Sequence, residues 1–278
     1  MSGAIPLALE CIREKADWVR RQTLLLHRRS PETRLASSLS CVEILTVLYY
    51  GGFIRFDALE PLREDRDRLV ISKGHGSISF FPILSDLGFI DSSELDKIAR
   101  PDGILKAIPD PLIPGYETLN GSLGQGLGVA CGMALGIKHR GTGQKVFVLS
   151  GDGELYEGSV WEAAMFAAHH RLGDLVMIID NNGRSMLDYC RNIMDLGPLD
   201  ALFRAFGWET LVVDGHDIGA LATCYREALA NRSGRPCVVV ANTVKGKGVP
   251  SLEGDALAHI RMLAPLEVDR ILECANGE

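Results

Sequence analysis

The sequence predicts an α/β protein of three layers, a parallel sheet with helices on both faces. Three observations carry this expectation. Runs such as "VFVL" and "LVMII" are apolar at every position, as strands buried on both sides are. From about residue 122 onward such runs alternate with segments of helical spacing, which implies right-handed β-α-β crossovers. At 278 residues, with 46% hydrophobic and 23% charged, the chain can build a sizeable core and has ordinary globular composition. No internal repeat, low-complexity tract or long polar linker divides it, so one domain over residues 1–278 is expected.

The elements follow in chain order. "LECIREKADWVRRQTLLLHRR" has helical spacing and a basic end, which complements a helix C-terminus. After "SSLS", the stretch "CVEILTVLYYGG" reads as a second helix closed by glycine. "DRLVISKGHG" is a short strand running into a turn with His75, and "SISFFPILSDLGF" is helical with Pro82 in its early turn. The proline and glycine of "PDGILKAIPDPLIPG" make residues 101–119 a loop. Beyond it come helix 122–139, strand 145–150, helix 159–171, strand 174–180 and a long loop. Helix 199–206, strand 209–213, helix 217–230 and strand 236–243 complete the series. Ser159 and Glu162 fit a capping box, and Gly173 sits where a C-terminal glycine belongs.

Composition also excludes. A formal net charge of -7 argues against nucleic acid as partner, since phosphate backbones need a basic surface. No apolar run is long enough to span a bilayer, and "MSGAIPLALECIREK" lacks the basic region of a secretory signal. Seven scattered cysteines without a C-x-x-C pair read as reduced core thiols of a cytoplasmic protein, and not as a zinc site or redox dithiol.

Chemistry gathers around "VFVLSGDGELYEG". Asp152 stands between Gly151 and Gly153 at the carboxyl end of a strand, where parallel sheets bind ligands, and the helix that follows favours an anion at its N-terminus. Asn182, thirty residues later, ends the next strand. One crossover returns the chain beside its start, so a carboxylate and a carboxamide can meet. Hard divalent cations, Mg2+ or else Ca2+ or Mn2+, choose such oxygen donors and share their shell with phosphates. With a backbone carbonyl at Arg184 and two phosphate oxygens, an octahedral shell is nearly complete. "TLNGSLGQGLG" offers the rival reading of a dinucleotide loop, but no apolar strand precedes it and no acidic residue ends a following strand.

Taken in order, these motifs resemble the thiamine diphosphate signature. With "SLSCVEIL", "DRLVISKGHG", "PGYETLNGSLGQGLGVACGMALG", "WETLVVDGHDI" and "ANTVKGKGVP", roughly residues 10–275 are similar to the N-terminal subunit of a split transketolase. The resemblance implies the diphosphate-binding half of the thiamine diphosphate-binding fold. It makes Asp152, Asn182 and the Arg184 carbonyl ligands of the metal, with Gly151, Gly153 and Glu154 at the diphosphate. His75 and His259 fall near the diphosphate or the reacting centre, although "AHIRML" around His259 matches only in part. Gly121, Ser122 and Leu123 flank the thiazolium, and the later glycines Gly124, Gly126 and Gly128 let the helix pack closely. Glu157 either links paired active sites or stabilises a helix N-terminus. Lys245 and Lys247 bear on phosphate or a subunit contact, or form an exposed basic turn. For His169, His170 and His216 ordinary helix-end or loop roles are expected.

The implied reaction moves a two-carbon ketol unit from a ketose donor to a carbonyl acceptor. The implied partner is a C-terminal transketolase subunit, whose pyrimidine-binding domain carries the activating glutamate, in an α2β2 heterotetramer. Two departures bear on substrate. The family has "GHPGGSLS" where this chain has "TRLASSLS", and "GHP" where it has "AIP", so Arg34 and Ile108 stand at histidine positions that contact substrate. Losing both polar partners implies an acceptor larger or more apolar than a pentose phosphate, as in secondary metabolism, unless neighbours compensate. The alternatives are a 2-oxoacid dehydrogenase-type α subunit or a noncatalytic binding subunit.

Overall fold

The computed structural model describes residues 6–110, 112–119 and 121–274. Helices α1 (Leu9–Arg29), α2 (Leu35–Leu39) and α3 (Val42–Tyr50) precede strand β1 (Arg68–Ile71). A 3-10 turn, Gly74–Ser79, leads into α4 (Phe80–Asp86), and a long loop then reaches α5 (Gln125–Arg140). Next come β2 (Val146–Gly151), α6 (Gly158–His169), β3 (Leu175–Asn181), α7 (Cys190–Ile193) and α8 (Leu199–Ala205). The chain closes with β4 (Glu209–Asp214), α9 (Ile218–Ala230), β5 (Cys237–Asn242), α10 (Pro250–Glu253) and α11 (Pro265–Cys274). All strand pairs are parallel, in the order β1-β2-β3-β5-β4.

Alternation along the strands produces the three layers. Val146, Val148, Leu175, Met177, Ile179 and Val238 pack into one core with residues of α5, α6 and α8. Their neighbours Phe147, Leu149, Val176, Ile178 and Val239 pack into a second core with residues of α1, α3, α4 and α9. Each buried aliphatic side chain contributes about 1.5–3 kcal/mol relative to exposure, so both faces must be covered. Edge strand β4 is the exception, with Val212 57% exposed. No helix among the described residues is long and apolar enough to cross a membrane.

Local chemistry departs from expectation at several points. The capping box at α6 does not form: Glu157 occupies the cap position, and Ser159 Oγ donates to the Gly124 carbonyl at 3.0 Å. The same hydroxyl cannot serve the helix while it ties α6 to the loop before α5. At the other end the left-handed residue is Arg171 (φ 49°), and Gly173 instead lies so close to Gly234 that a Cβ would come within 3.0 Å. Gly126 does permit close packing, since a Cβ there would stand 2.3 Å from Ser72 Oγ, whereas Gly128 faces open space. Of the seven free cysteines, Cys41, Cys131, Cys224 and Cys237 are buried, but Cys11 and Cys274 are exposed and Cys190 is half-buried.

One buried histidine ties the first helix to the segment that leads into the last. His27 Nε2 accepts from the Leu263 amide at 3.2 Å, so its proton sits on Nδ1 and reaches Thr33 Oγ1 at 2.8 Å. Thr33 in turn donates to the Ser30 carbonyl at 2.8 Å. Burial holds this imidazole neutral by lowering its pKa to about 4.

Candidate functional site

The β2–β3 register sets Gly151 opposite Asp180, so the residues just beyond, Asp152 and Asn182, leave adjacent strands side by side. Here the chain lines a cavity of about 280 Å³ that gathers Lys73, His75, Asp152, Asn182, Lys245 and His259. Asp152 accepts from the amide of Gly153 at 2.8 Å through one carboxylate oxygen and from the amide of Gly183 through the other. Burial, then the charge of Asp180, raises its pKa to about 6. Asn182 Nδ2 donates to Asp180 at 3.3 Å, while Oδ1 accepts only from the Arg184 amide at 3.2 Å. A neighbouring carboxylate therefore decides which way the amide points. The Arg184 carbonyl accepts from Lys245 Nζ at 3.1 Å.

Behind these groups lies an ion pair that the motifs did not single out. Lys73 and Asp180 are fully buried and bonded to each other, with Ser40 Oγ donating to Asp180 at 2.6 Å and Thr243 donating to its other oxygen. Burial works to neutralise both. The pair and the hydroxyls outweigh it, holding Asp180 below and Lys73 above their ordinary values. Gly76 makes room for the lysine, since a Cβ there would fall 2.4 Å from Lys73 Cε. The available signal was position: "SKGHG" and "IIDNN" each place a charge at the end of an apolar strand.

Glu154 also lines the cavity, but protein donors engage its carboxylate: Ser72 Oγ, the Gly124 amide (2.8 Å), Ser150 Oγ (2.7 Å) and the Gly151 amide (3.3 Å). It joins the end of β1, the turn after β2 and the start of α5. Arg184 acts similarly through its side chain, capping the carbonyls of Leu252 (3.2 Å), Asp255 (2.6 Å) and Glu253. His216 positions the loop that carries Lys245. Its Nε2 accepts from the Val244 amide at 2.8 Å, which leaves Nδ1 to donate to Glu43 at 2.9 Å.

His75 and His259 face each other with ring centroids 4.9 Å apart. Lys245 donates to His259 Nδ1 at 3.1 Å, and Ser37 Oγ lies 3.3 Å from the same nitrogen, so the imidazole proton belongs on Nε2. Burial, then Lys245, Arg34 and Lys73, lowers His259 to about 3, and burial with the same cations lowers His75 well below its usual range. Both are neutral at pH 7. Lys245 is itself lowered to about 8, by burial and then by Lys73. It is 3% exposed, which overturns the exposed-turn reading at that position.

Leu123, Gly151 and Gly153 line the cavity, whereas Gly121 and Ser122 are exposed in the preceding loop. Glu157 is exposed and does not line it, nor does Ile108, which is 46% exposed. Met186, Leu187 and Ile193 make part of the lining apolar.

The family described as "Transketolase, thiamine diphosphate binding domain" matches residues 35–275. One subunit of the apulose-4-phosphate transketolase of Actinobacillus succinogenes is 36% identical over 274 residues, 98% of each chain. The 6-deoxy-6-sulfo-D-fructose transketolase subunit SqwG of a Clostridium species is 34% identical over 89% of this chain and 90% of its own. The crystal structure of Campylobacter jejuni transketolase superposes on 98% of this chain with a TM-score of 0.88 at 28% identity, and only 43% of that longer chain is covered. The chain thus belongs to the transketolase family and carries its thiamine diphosphate-binding domain, the part that stands as a separate subunit in the divided relatives.

Proposed function

We propose that this chain grips the diphosphate end of thiamine diphosphate through a divalent cation such as Mg2+ and, with a partner subunit, transfers a two-carbon ketol unit from a ketose to a carbonyl acceptor. The observation that carries this reading is the convergence of Asp152 and Asn182, from adjacent strand ends, on a cavity that also holds Lys245.

The residues fit the missing groups. Among the described residues no cluster of three or more His, Cys, Asp or Glu side chains is arranged to hold a metal. A cation at Asp152 would have one carboxylate, the Asn182 amide oxygen and the Arg184 carbonyl, a hard oxygen set that phosphate oxygens complete. Lys245 already bonds to that carbonyl and to His259 Nδ1, and offers its third N–H to phosphate. Gly151 and Gly153 present backbone without a Cβ to the same space.

When bound, the coenzyme supplies the carbon–carbon bond chemistry. The chain binds, orients and excludes water. Neutral His75 and His259 are set to donate or accept single hydrogen bonds beside the cavity without adding charge. Glu154 and the Lys73–Asp180 pair hold the strand ends in register.

Two observations support a partner carrying the pyrimidine-binding domain. Relatives matched along about nine-tenths or more of their own length are named transketolase subunits, and Met186 and Leu187 at the cavity are exposed. An α2β2 assembly is the simplest form. Relatives named for apulose 4-phosphate and a sulfosugar indicate that the ketose donor varies in this group, and Glu157 remains a candidate link between paired sites.

Calorimetry with thiamine diphosphate and Mg2+, run with and without the C-terminal subunit, tests the proposal. We expect tight uptake and ketol transfer only in the mixture. Transfer by the isolated chain would remove the partner, and no uptake by the mixture would remove the function. Decarboxylation of a 2-oxoacid without an aldehyde acceptor would favour the dehydrogenase-type alternative.

A further inference from the structure

Arg34 differs from the other partly buried arginines. Arg20, Arg63, Arg66, Arg68 and Arg184 each have their guanidinium engaged by carboxylates or backbone carbonyls. Among the described residues, Arg34 makes no ion pair and no hydrogen bond through its side chain, although it is only partly exposed. The adjacent acid does not reach it, because Glu32 accepts from Ser30 Oγ at 2.5 Å. Its backbone, by contrast, is anchored: the Arg34 carbonyl accepts from the amide of Ser38 at 3.3 Å and from its hydroxyl at 3.2 Å. A partly desolvated cation on a fixed backbone, without a partner among the described residues, is prepared for a ligand.

Its location says which ligand. Ser37 follows three residues later, one turn along the same short helix, and its Oγ stands 3.3 Å from His259. Arg34 therefore flanks the paired imidazoles. Its positive charge contributes to the lowering of both His75 and His259. It is not among the leading influences on Asp152 or Lys245, at the cavity end where the diphosphate is proposed to bind.

We propose that Arg34 recognises an anionic group on the carbonyl acceptor, and so selects acceptors whose charge lies close to the reacting carbonyl. This rests on the ketol-transfer reading above. A guanidinium fork takes a carboxylate or phosphoryl group through two parallel hydrogen bonds, a geometry that lysine or glutamine does not reproduce. Neither Arg34 nor Ile108 lines the 280 Å³ cavity itself; Arg34 stands at its histidine edge, one helical turn from the Ser37 that reaches His259, so the charge it offers acts on the part of the acceptor beside the imidazoles.

The test uses the reconstituted complex with one ketose donor and three acceptors: glyoxylate, glyceraldehyde 3-phosphate and uncharged glycolaldehyde. Arg34→Gln is expected to lower kcat/KM for one charged acceptor by about 30-fold or more and for glycolaldehyde by less than about threefold. Arg34→Lys should recover only part of the loss. Which charged acceptor suffers identifies the group as carboxylate or phosphate. The melting temperature and coenzyme affinity should be unchanged, which separates recognition from folding. Equal losses for charged and neutral acceptors, or no loss for either charged one, would overturn the assignment of Arg34. A wild-type complex that transfers to none of the three would instead sink the ketol-transfer reading beneath it.

Discussion

Two walls of one cavity contrast in how they treat polarity. On the side of β1, β2 and β3, Lys73, Asp180 and Glu154 are almost wholly buried, and each is bonded to several groups of the chain itself. Elsewhere in the lining Met186 and Leu187 are 53% and 65% exposed. The first wall is closed chemistry: its charges have partners, so they fix geometry and hold the backbone on which Asp152 and Asn182 stand. The second is apolar surface turned to water, which costs little to leave open and gains when something covers it. Rigidity belongs to the part that carries Asp152 and Asn182, and openness to the part whose apolar side chains stay in water.

The sharpest way to break this contrast is to leave half of the ion pair behind. Asp180→Ala strands Lys73 in the core, and denaturant unfolding should report a loss of about 3–5 kcal/mol. The double change Lys73→Met/Asp180→Leu should restore most of that stability, because two apolar side chains do not require partners. It should not restore coenzyme binding, since Asp180 also orients the Asn182 amide. A single change costing under about 1 kcal/mol would mean that the wall is not held by charge at all.

A second probe uses pH on another saturated polar group, His27. The unfolded chain takes up a proton near pH 6.5 and the folded one only near 4, so the unfolded state binds more protons between those values. Through His27 stability should therefore fall as pH drops from about 6.5 to about 4, by up to about 3 kcal/mol, on top of the fall that His75 and His259 add in the same direction. His27→Gln should lower the slope between those pH values without abolishing it. A profile of unchanged slope in that variant would assign the pH dependence elsewhere.

Smaller in energy but sharper in function is Asp152→Asn. It keeps the shape and removes the charge a cation needs, so coenzyme affinity of the complex in Mg2+ should drop about 100-fold, about 2.7 kcal/mol. Because the new amide nitrogen cannot accept, either the Gly153 or the Gly183 N–H loses its partner, and thermal unfolding should report a loss of about 1–3 kcal/mol. Least of all in stability terms, Leu187→Ser on the open wall should shift unfolding by no more than about 0.5 kcal/mol, as exposed positions do. Its effect should appear instead as weaker association with the partner subunit, measurable by titration. A destabilised chain would show that this wall is core after all.

Helix and strand positions were legible because burial on both faces leaves a continuous apolar strand, and few other arrangements tolerate one. The same logic gave the meeting of Asp152 and Asn182, since both lie where strands end. Ser159 was misread for a physical reason: a hydroxyl near a helix start has several acceptors in reach, and here the Gly124 carbonyl competes successfully. Lys73 and Asp180 escaped because a charge near an apolar run ordinarily marks where burial stops.

The sequence by itself determined the layered α/β plan and the meeting of Asp152 and Asn182 at the carboxyl ends of adjacent strands, because periodicity and strand termini are local properties of the chain. Only the tertiary structure decided which charges are consumed internally and which stay available. Partners for Lys73, Glu154 and Lys245 come from segments up to 107 residues away, and whether Arg34 has one depends on what folding brings within about 3 Å of it.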